Sequence, residues 1–313
     1  MKAIRIMGPG QAAVIDVPEP EPAAGEVVVK VMAVTTCPQW DMHLMRGEPM
    51  FAGGRIDYPY TPGQPGHEMA GVIVAVGADV KAFRPGDRVA AWRDPGHHRQ
   101  GCYAQFVAFD PENLLVLPEG AGFAEYAPFE LAMCVGASFL DILGTTGLKG
   151  KRVGIAGLGP AGLIAAQYAK AEGAAEVVGF EPSPARAALA RRFGVDRTVE
   201  PGGDPPGALD VSLDSAGAKP AIEHLMRVTR GIVAIFGVQR AGYVFPPEAG
   251  GLKLFGYPGH TKKAADYAMS KVASGLVRLE DLIGARMGLE DYGKAVAALE
   301  RQEVLKVCFL PNR

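Results

Sequence analysis

A chain of 313 residues exceeds the roughly 100 to 200 of a typical domain, so two domains with separate cores are expected, a single barrel being the alternative on length. Hydrophobic residues at 48% against 21% charged exclude a disordered chain. A formal net charge of -2, with no run of Lys or Arg, excludes the electrostatic footprint of a nucleic-acid binder.

The first residues, Met1-Lys2-Ala3-Ile4-Arg5-Ile6, run directly into an alternating strand-like pattern without the features of a signal peptide. No segment approaches the roughly 18 uninterrupted apolar residues of a membrane span. A cytoplasmic protein with no membrane partner is therefore expected. Four scattered cysteines, Cys37, Cys102, Cys134 and Cys308, suit reduced thiols or metal ligands better than a disulfide framework.

Up to about residue 120 the pattern is strand and turn. Runs such as Glu26 to Val31 and Gly71 to Val76 are bounded by Gly, Pro and Asp, as an antiparallel barrel requires. Helical periodicity is nearly absent there. Phe123 to Leu143 then reads as a buried helix, and strands begin to alternate with helices. Strands are expected at Lys151 to Ala156, Glu176 to Phe180, Ala208 to Leu213 and Gly231 to Phe236, with helices at Gly162 to Glu172, Pro184 to Phe193 and Lys219 to Thr229. That alternation predicts an α/β chain with a doubly wound parallel sheet. Helices at Thr261 to Gly275 and Leu289 to Arg301 and a strand at Val304 to Leu310 complete the reading.

Gly157-Leu158-Gly159-Pro160-Ala161-Gly162 matches G-x-G-x-x-G, and its place between a strand and a helix gives the match its force. The chemistry assigns Gly157 to the tight turn, Gly159 to close approach of the pyrophosphate, and Gly162 to packing of helix on strand; the helix opened by Pro160 and Ala161 presents unpaired N–H groups to the phosphates. Glu181 lies about 20 residues on, where a carboxylate accepts from the adenosine ribose and repels a 2′-phosphate. NAD is expected over NADP, with Arg186 the residue nearest to opposing that choice.

Gly66-His67-Glu68-Met69-Ala70-Gly71 with Val76-Gly77, then Gly86-Asp87-Arg88-Val89, Gly101-Cys102-Tyr103-Ala104-Gln105-Phe106 and the glycine turn, run over nearly the whole chain. Taken together they resemble the zinc-type medium-chain dehydrogenase/reductase family, the relatives of alcohol dehydrogenase. The resemblance implies a GroES-like β-barrel catalytic domain over 1–121 and 262–313 and a Rossmann domain over 122–261. It also implies one catalytic zinc held by Cys37, by His67 and by a residue ahead of the Rossmann strand. Cys134, which completes a C-x-x-x-[ST] pattern with Ser138, is favoured there over Glu130 one helical turn earlier. Two thiolates and one neutral imidazole with an open fourth position suit a catalytic zinc. Glu68 resembles the family's residue beside the metal, an orienting group or an alternate ligand.

Two segments depart from the family pattern. The loop Trp92 to Cys102 holds one cysteine where many relatives carry four, so no structural zinc is expected, and His97, His98 and Cys102 read as a surface loop. After Cys37 the chain reads Pro38-Gln39-Trp40-Asp41-Met42-His43: the later Asp41 and His43 pair is kept, but the hydroxyl of the family's proton relay is missing. Thr35, Thr36 or a water would have to replace it. Trp40, Tyr58, Trp92 and Phe139 are candidate pocket aromatics. The expected reaction is hydride transfer between a small alcohol or polyol and NAD, with the corresponding carbonyl as the other substrate, in a homo-oligomer of two or four chains. A zinc-free quinone or enone reductase of the same superfamily is the nearest alternative, and a non-catalytic dinucleotide-binding sensor a more distant one.

Overall fold

The structure, a computed structural model, describes residues 1–51 and 53–312. Its chain forms two compact units, Met1–Leu131 with Arg278–Arg313, and Ala132–Val277.

The first unit opens with a hairpin of β1 (Lys2–Gly8) and β2 (Gln11–Asp16), closed where Gly10 takes φ 71°. β3 (Val27–Thr35) is almost entirely buried, as its run of β-branched side chains requires. The helix α1 (Pro38–Arg46) follows at once, in a region where the sequence shows little helical periodicity. Its ends are marked instead by chemistry: Pro38 in the first turn, where no N–H is needed, and Gly47 at φ 75° as the cap. β4 (Glu68–Val76) pairs antiparallel with β3 and sets Glu68 opposite Thr35. β5 (Arg88–Ala91), β6 (Phe106–Phe109) and β7 (Leu114–Val116) complete the strands of this stretch. The expected helix from Phe123 is broken at Pro128, which has no N–H to continue the ladder, into α2 (Phe123–Tyr126) and α3 (Phe129–Thr145). This stretch, Phe123–Thr145, is long and apolar enough to cross a membrane, but 72% of its most apolar window is buried inside the protein, as in a core helix.

In the second unit β8 (Arg152–Ala156), α4 (Pro160–Ala171), β9 (Glu176–Phe180), α5 (Pro184–Ala190), β10 (Arg197–Val199), β11 (Leu209–Asp214), α6 (Lys219–Val228), β12 (Thr229–Ile235) and β13 (Lys253–Gly256) alternate. The strands form one parallel sheet in the order β10-β9-β8-β11-β12-β13. This is the doubly wound order 3-2-1-4-5-6, in which dinucleotides as a rule bind outside the carboxyl ends of the strands. α7 (Lys262–Ala273) packs here too: the Tyr267 ring lies 5.2 Å from that of Tyr168, and Lys271 Nζ lies 2.6 Å from Glu172. The expected return to the first domain at 262 therefore comes later, at Arg278, and the expected division at 121 falls after Leu131.

The chain then returns to the first unit with β14 (Ile283–Met287), α8 (Tyr292–Glu300) and β15 (Lys306–Phe309). β15 pairs with β3, so the barrel sheet runs β14-β15-β3-β4-β5-β7, with β6 also on β3. Val29, Val31, Met69, Ile73, Val107 and Phe309 lie within its core.

Candidate functional site

Two strand ends and a helix start bring the candidate metal donors of the first unit together. Cys37 sits at the N-cap of α1, immediately after β3, and His67 immediately precedes β4. The Cys37 thiol, a ring nitrogen of His67 and a Glu68 oxygen all lie within 4.8 Å of one another. His67 Nδ1 lies 2.7 Å from the Pro65 carbonyl, and only an N–H can face a carbonyl oxygen there. In the neutral ring that a metal would require, the lone pair falls on Nε2, which lies 3.6 Å from Glu130 Oε2. Burial works to lower the His67 pKa, but the hydrogen bond with Cys37 and the charges of Glu130, Cys37 and Glu68 outweigh it and hold the value well above the ordinary one. An imidazole facing a thiol and a carboxylate is a donor set that fits a divalent zinc.

Glu68 faces a different task. Its carboxylate is 1% exposed and accepts from Lys306 Nζ at 2.6 Å on both oxygens and from Thr35 Oγ1 at 2.8 Å. Lys306, fully buried, spends its remaining donor on the Thr36 carbonyl at 2.6 Å. Burial raises the Glu68 pKa and the Lys306 charge opposes it. A carboxylate so engaged orients and neutralises, and one of its oxygens still stands within 4.8 Å of the Cys37 thiol and the His67 ring. Lys306 escaped the sequence reading, although a lone charge inside the apolar run Val304 to Leu310 signals a buried partner.

Of the two residues weighed for third ligand, Glu130 meets His67, whereas Cys134 belongs to the second unit. There its Sγ lies 3.5 Å from His260 Nε2 and accepts from the Tyr257 hydroxyl at 3.1 Å. Neither His260 nor Tyr257 lies in a recognisable motif, so no local signal marks them in the sequence.

Asp41 is fully buried and accepts from the Tyr103 and Tyr292 hydroxyls, each at 2.8 Å, an arrangement that ties α1 to α8. Burial pushes its carboxyl up to about 6, against the pull of those two hydroxyls. His43 Nδ1 lies 3.1 Å from the exposed Glu48 carboxylate. Of the two threonines weighed for the relay, Thr35 donates its hydroxyl proton to Glu68 at 2.8 Å, while Thr36 Oγ1 accepts from the Val307 N–H at 3.0 Å. Trp92 and Phe139 are core residues, Trp92 bonded to the Glu112 carbonyl and Phe139 packed on Tyr168. Tyr58 donates to the Leu44 carbonyl, and Trp40 stacks on His97 at 5.3 Å. Cys102 is fully buried, its thiol pushed up by that burial, and His98 joins no donor cluster among the described residues.

In the second unit the glycine turn occupies the carboxyl end of β8. Gly157 takes φ 83°, which L side chains rarely adopt. A Cβ on Gly162 would lie 1.9 Å from the Gly157 carbonyl oxygen, so only glycine lets the turn and α4 come this close. Beside Gly159 an added Cβ meets nothing within 4 Å, the open approach that a pyrophosphate needs. Pro160 and Ala161 form the first turn of α4. Glu181, 4% exposed, accepts from the Leu158 N–H at 2.7 Å and the Ser183 N–H at 2.9 Å. Arg186 Nε is buried without a hydrogen-bond partner.

These features meet their counterparts in known proteins. Residues 23–137 match the alcohol dehydrogenase GroES-like domain, and residues 160–253 match the zinc-binding dehydrogenase domain. The chain belongs to the zinc-type medium-chain dehydrogenase/reductase family. Within that family it is 27% identical to an L-threonine 3-dehydrogenase of Pyrococcus horikoshii, across 99% of this chain and 98% of the relative. A zinc-binding dehydrogenase structure from Sinorhizobium meliloti bound to NADP superposes with a TM-score of 0.85 at 25% identity, over 99% of both chains. Galactitol-1-phosphate dehydrogenase from Escherichia coli shares the fold, with a TM-score of 0.85 at 24% identity over 99% of this chain and all of that one.

Proposed function

We propose that the protein is a zinc-dependent oxidoreductase that moves a hydride between a small alcohol or polyol and NAD. The observation that carries this reading is the grouping of Cys37, His67 and Glu68 in the first unit, with Glu130 at 3.6 Å from His67, in a chain whose second unit holds the glycine turn and Glu181. The relatives named for threonine and galactitol-1-phosphate dehydrogenation support alcohols as the substrate class.

Cys37, His67 and Glu130 would hold the zinc, with Cys134 the alternative to Glu130. When bound, zinc supplies Lewis-acid polarisation of the alcohol or carbonyl oxygen, and NAD supplies the hydride acceptor. The Pro65 carbonyl keeps the His67 ring in the tautomer that presents Nε2. Glu68, neutralised by Lys306, sets the charge beside that ring. Alcohol oxidation releases one proton for each hydride, and His43, 3.1 Å from the exposed Glu48 carboxylate, offers it a route to solvent. Asp41 holds α1, and with it both Cys37 and His43, against Tyr103 and Tyr292. In the second unit the turn from Gly157 to Gly162 would receive the pyrophosphate and Glu181 the adenosine ribose. The unpartnered Nε of Arg186 favours NADP as a second, weaker acceptor.

The deciding experiment presents primary, secondary and polyol alcohols with NAD and follows NADH, before and after chelation of zinc. Turnover that zinc removal abolishes and zinc addition restores supports the reading; full activity in a zinc-stripped preparation overturns it.

A further inference from the structure

Three turns stand at the carboxyl ends of neighbouring strands in the second unit: 157–159 after β8, 215–217 after β11 and 236–239 after β12. The glycine motif accounts for the first alone. Ser215 joins the first to the second, its Oγ donating to the Ala156 and Gly157 carbonyls at 2.9 and 2.7 Å.

Asp214, the last residue of β11 and fully buried, joins the second turn to the third. Its Oδ1 accepts from the Ala216 and Gly217 N–H groups at 3.2 Å each. Its Oδ2 accepts from the Gly217 N–H at 3.1 Å and from Gln239 Nε2 at 3.4 Å. The Asp214 backbone carbonyl takes the N–H groups of Phe236 and Gly237 at 2.9 and 3.0 Å. The two turns touch so closely that a Cβ on Gly217 would lie 2.4 Å from the Val238 carbonyl oxygen, and one on Gly237 would lie 2.2 Å from the Gly217 nitrogen. Gln239 also donates to the Gly237 carbonyl at 2.6 Å, while its own Oε1 is buried without a partner. The amide thus forgoes one hydrogen bond to keep its Nε2 on the clamp. No step described above uses this buried carboxylate.

A sheet of this order binds a dinucleotide in two mononucleotide halves. β8, β9 and β10 carry the glycine turn and Glu181, the features of the adenosine half. β11, β12 and β13 form the other half. We propose that Asp214 is a positioning residue for the nicotinamide half of the cofactor: by clamping turns 215–217 and 236–239 together it shapes the surface on which that half rests. The inference depends on the dinucleotide reading above and adds to it which residue organises the half that the glycine motif does not reach. Asp214 acts through these turns and need not touch the cofactor.

The test compares binding of NADH, followed by its fluorescence, with binding of AMP, followed by calorimetry, on the full zinc-loaded chain. Asp214→Asn keeps Oδ1 as an acceptor for Ala216 and Gly217 but turns an amide donor toward Gln239 Nε2 and the second Gly217 contact, which loosens the clamp mainly on the side of the third turn. The NADH Kd is expected to rise about tenfold, the equivalent of one good hydrogen bond, while the AMP Kd stays within about twofold. Gln239→Ala cuts the same link without altering a buried charge and is expected to show the same selectivity, so the proposal stays testable if Asp214→Asn does not fold. Equal losses of NADH and AMP in the folded variants would mean a merely structural role and overturn the proposal, as would unchanged NADH binding in both. A parent protein that binds neither nucleotide overturns the dinucleotide reading itself and this inference with it.

Discussion

Replacing Lys306 by Met removes the cation of a fully buried ion pair while roughly keeping its volume. In the parent the three ammonium protons have three acceptors: both Glu68 oxygens and the Thr36 carbonyl, each at 2.6 Å. The variant leaves Glu68, 1% exposed, with the Thr35 hydroxyl as its remaining donor, and strips the Thr36 carbonyl of its Lys306 bond. Breaking one side of such a pair costs about 3 to 5 kcal/mol, because the surviving charge is stranded in low dielectric. For a unit of this size each kcal/mol moves Tm by about 2 to 4 °C, so a fall of roughly 6 to 20 °C is expected. Adding Glu68→Gln should recover at least half of the loss, because the stranded charge is then gone. Zinc affinity should fall about 10 to 100-fold in Lys306→Met, since Glu68 directly follows His67 in the chain. Thermal melts of the parent, the two single variants and the double variant make a complete cycle. Reasoning from a stranded charge fails if Lys306→Met melts within about 2 °C of the parent, or if the double variant is less stable than Lys306→Met alone.

Cys37→Ala or His67→Ala should lower alcohol oxidation by about a thousandfold or more while NADH affinity, read by fluorescence, changes less than about twofold; parallel loss of both would place these residues elsewhere than at the metal. Elemental analysis should find one zinc per chain, and two would show a structural site that the loop around Cys102 does not suggest. Glu181→Ala should shift the kcat/KM ratio of NAD to NADP toward NADP by about tenfold or more, and should also loosen the Leu158 turn; a parent that already prefers NADPH refutes the assignment. The folded Asp41 carboxyl titrates at about 6, above its unfolded value, so its contribution to stability is full below about pH 4 and is lost as pH rises through about 6. A parent that loses on the order of 3 kcal/mol against Asp41→Asn between pH 4 and pH 8 would bear this out, whereas a gap independent of pH would contradict it.

Much of the second unit was legible because its signals are local. Gly157 needs a positive φ and Gly162 needs room against the Gly157 carbonyl, and both demands fall within six residues of chain between a strand and a helix. The strand and helix alternation likewise reads from period alone, apart from the short edge strands β10 and β13. In the first unit α1 escaped the pattern, since helical period competes poorly where a helix is only nine residues of barrel connection and half its face is polar. Its end signals, Pro38 and Gly47, were nonetheless present.

Tertiary structure alone decided how the charges are paired. Lys306 lies 238 residues from Glu68, and Tyr292 lies 251 residues from Asp41, yet each pair is in direct contact. A buried charge must be neutralised by whatever the fold brings beside it, and no periodicity encodes a partner so distant. The same holds for the candidate metal donors and for the turns proposed to cradle the cofactor. His67 announced itself through its motif, but only packing could place Glu130 against it and Cys134 beside His260, and only the register of β11 with β12 could turn Asp214 into a clamp. The sequence by itself therefore determined the family, the dinucleotide turn and the types of residue available for chemistry, because those are written in short stretches of chain. Which of them meet was left to the fold, because proximity between distant residues is created by burying the cores.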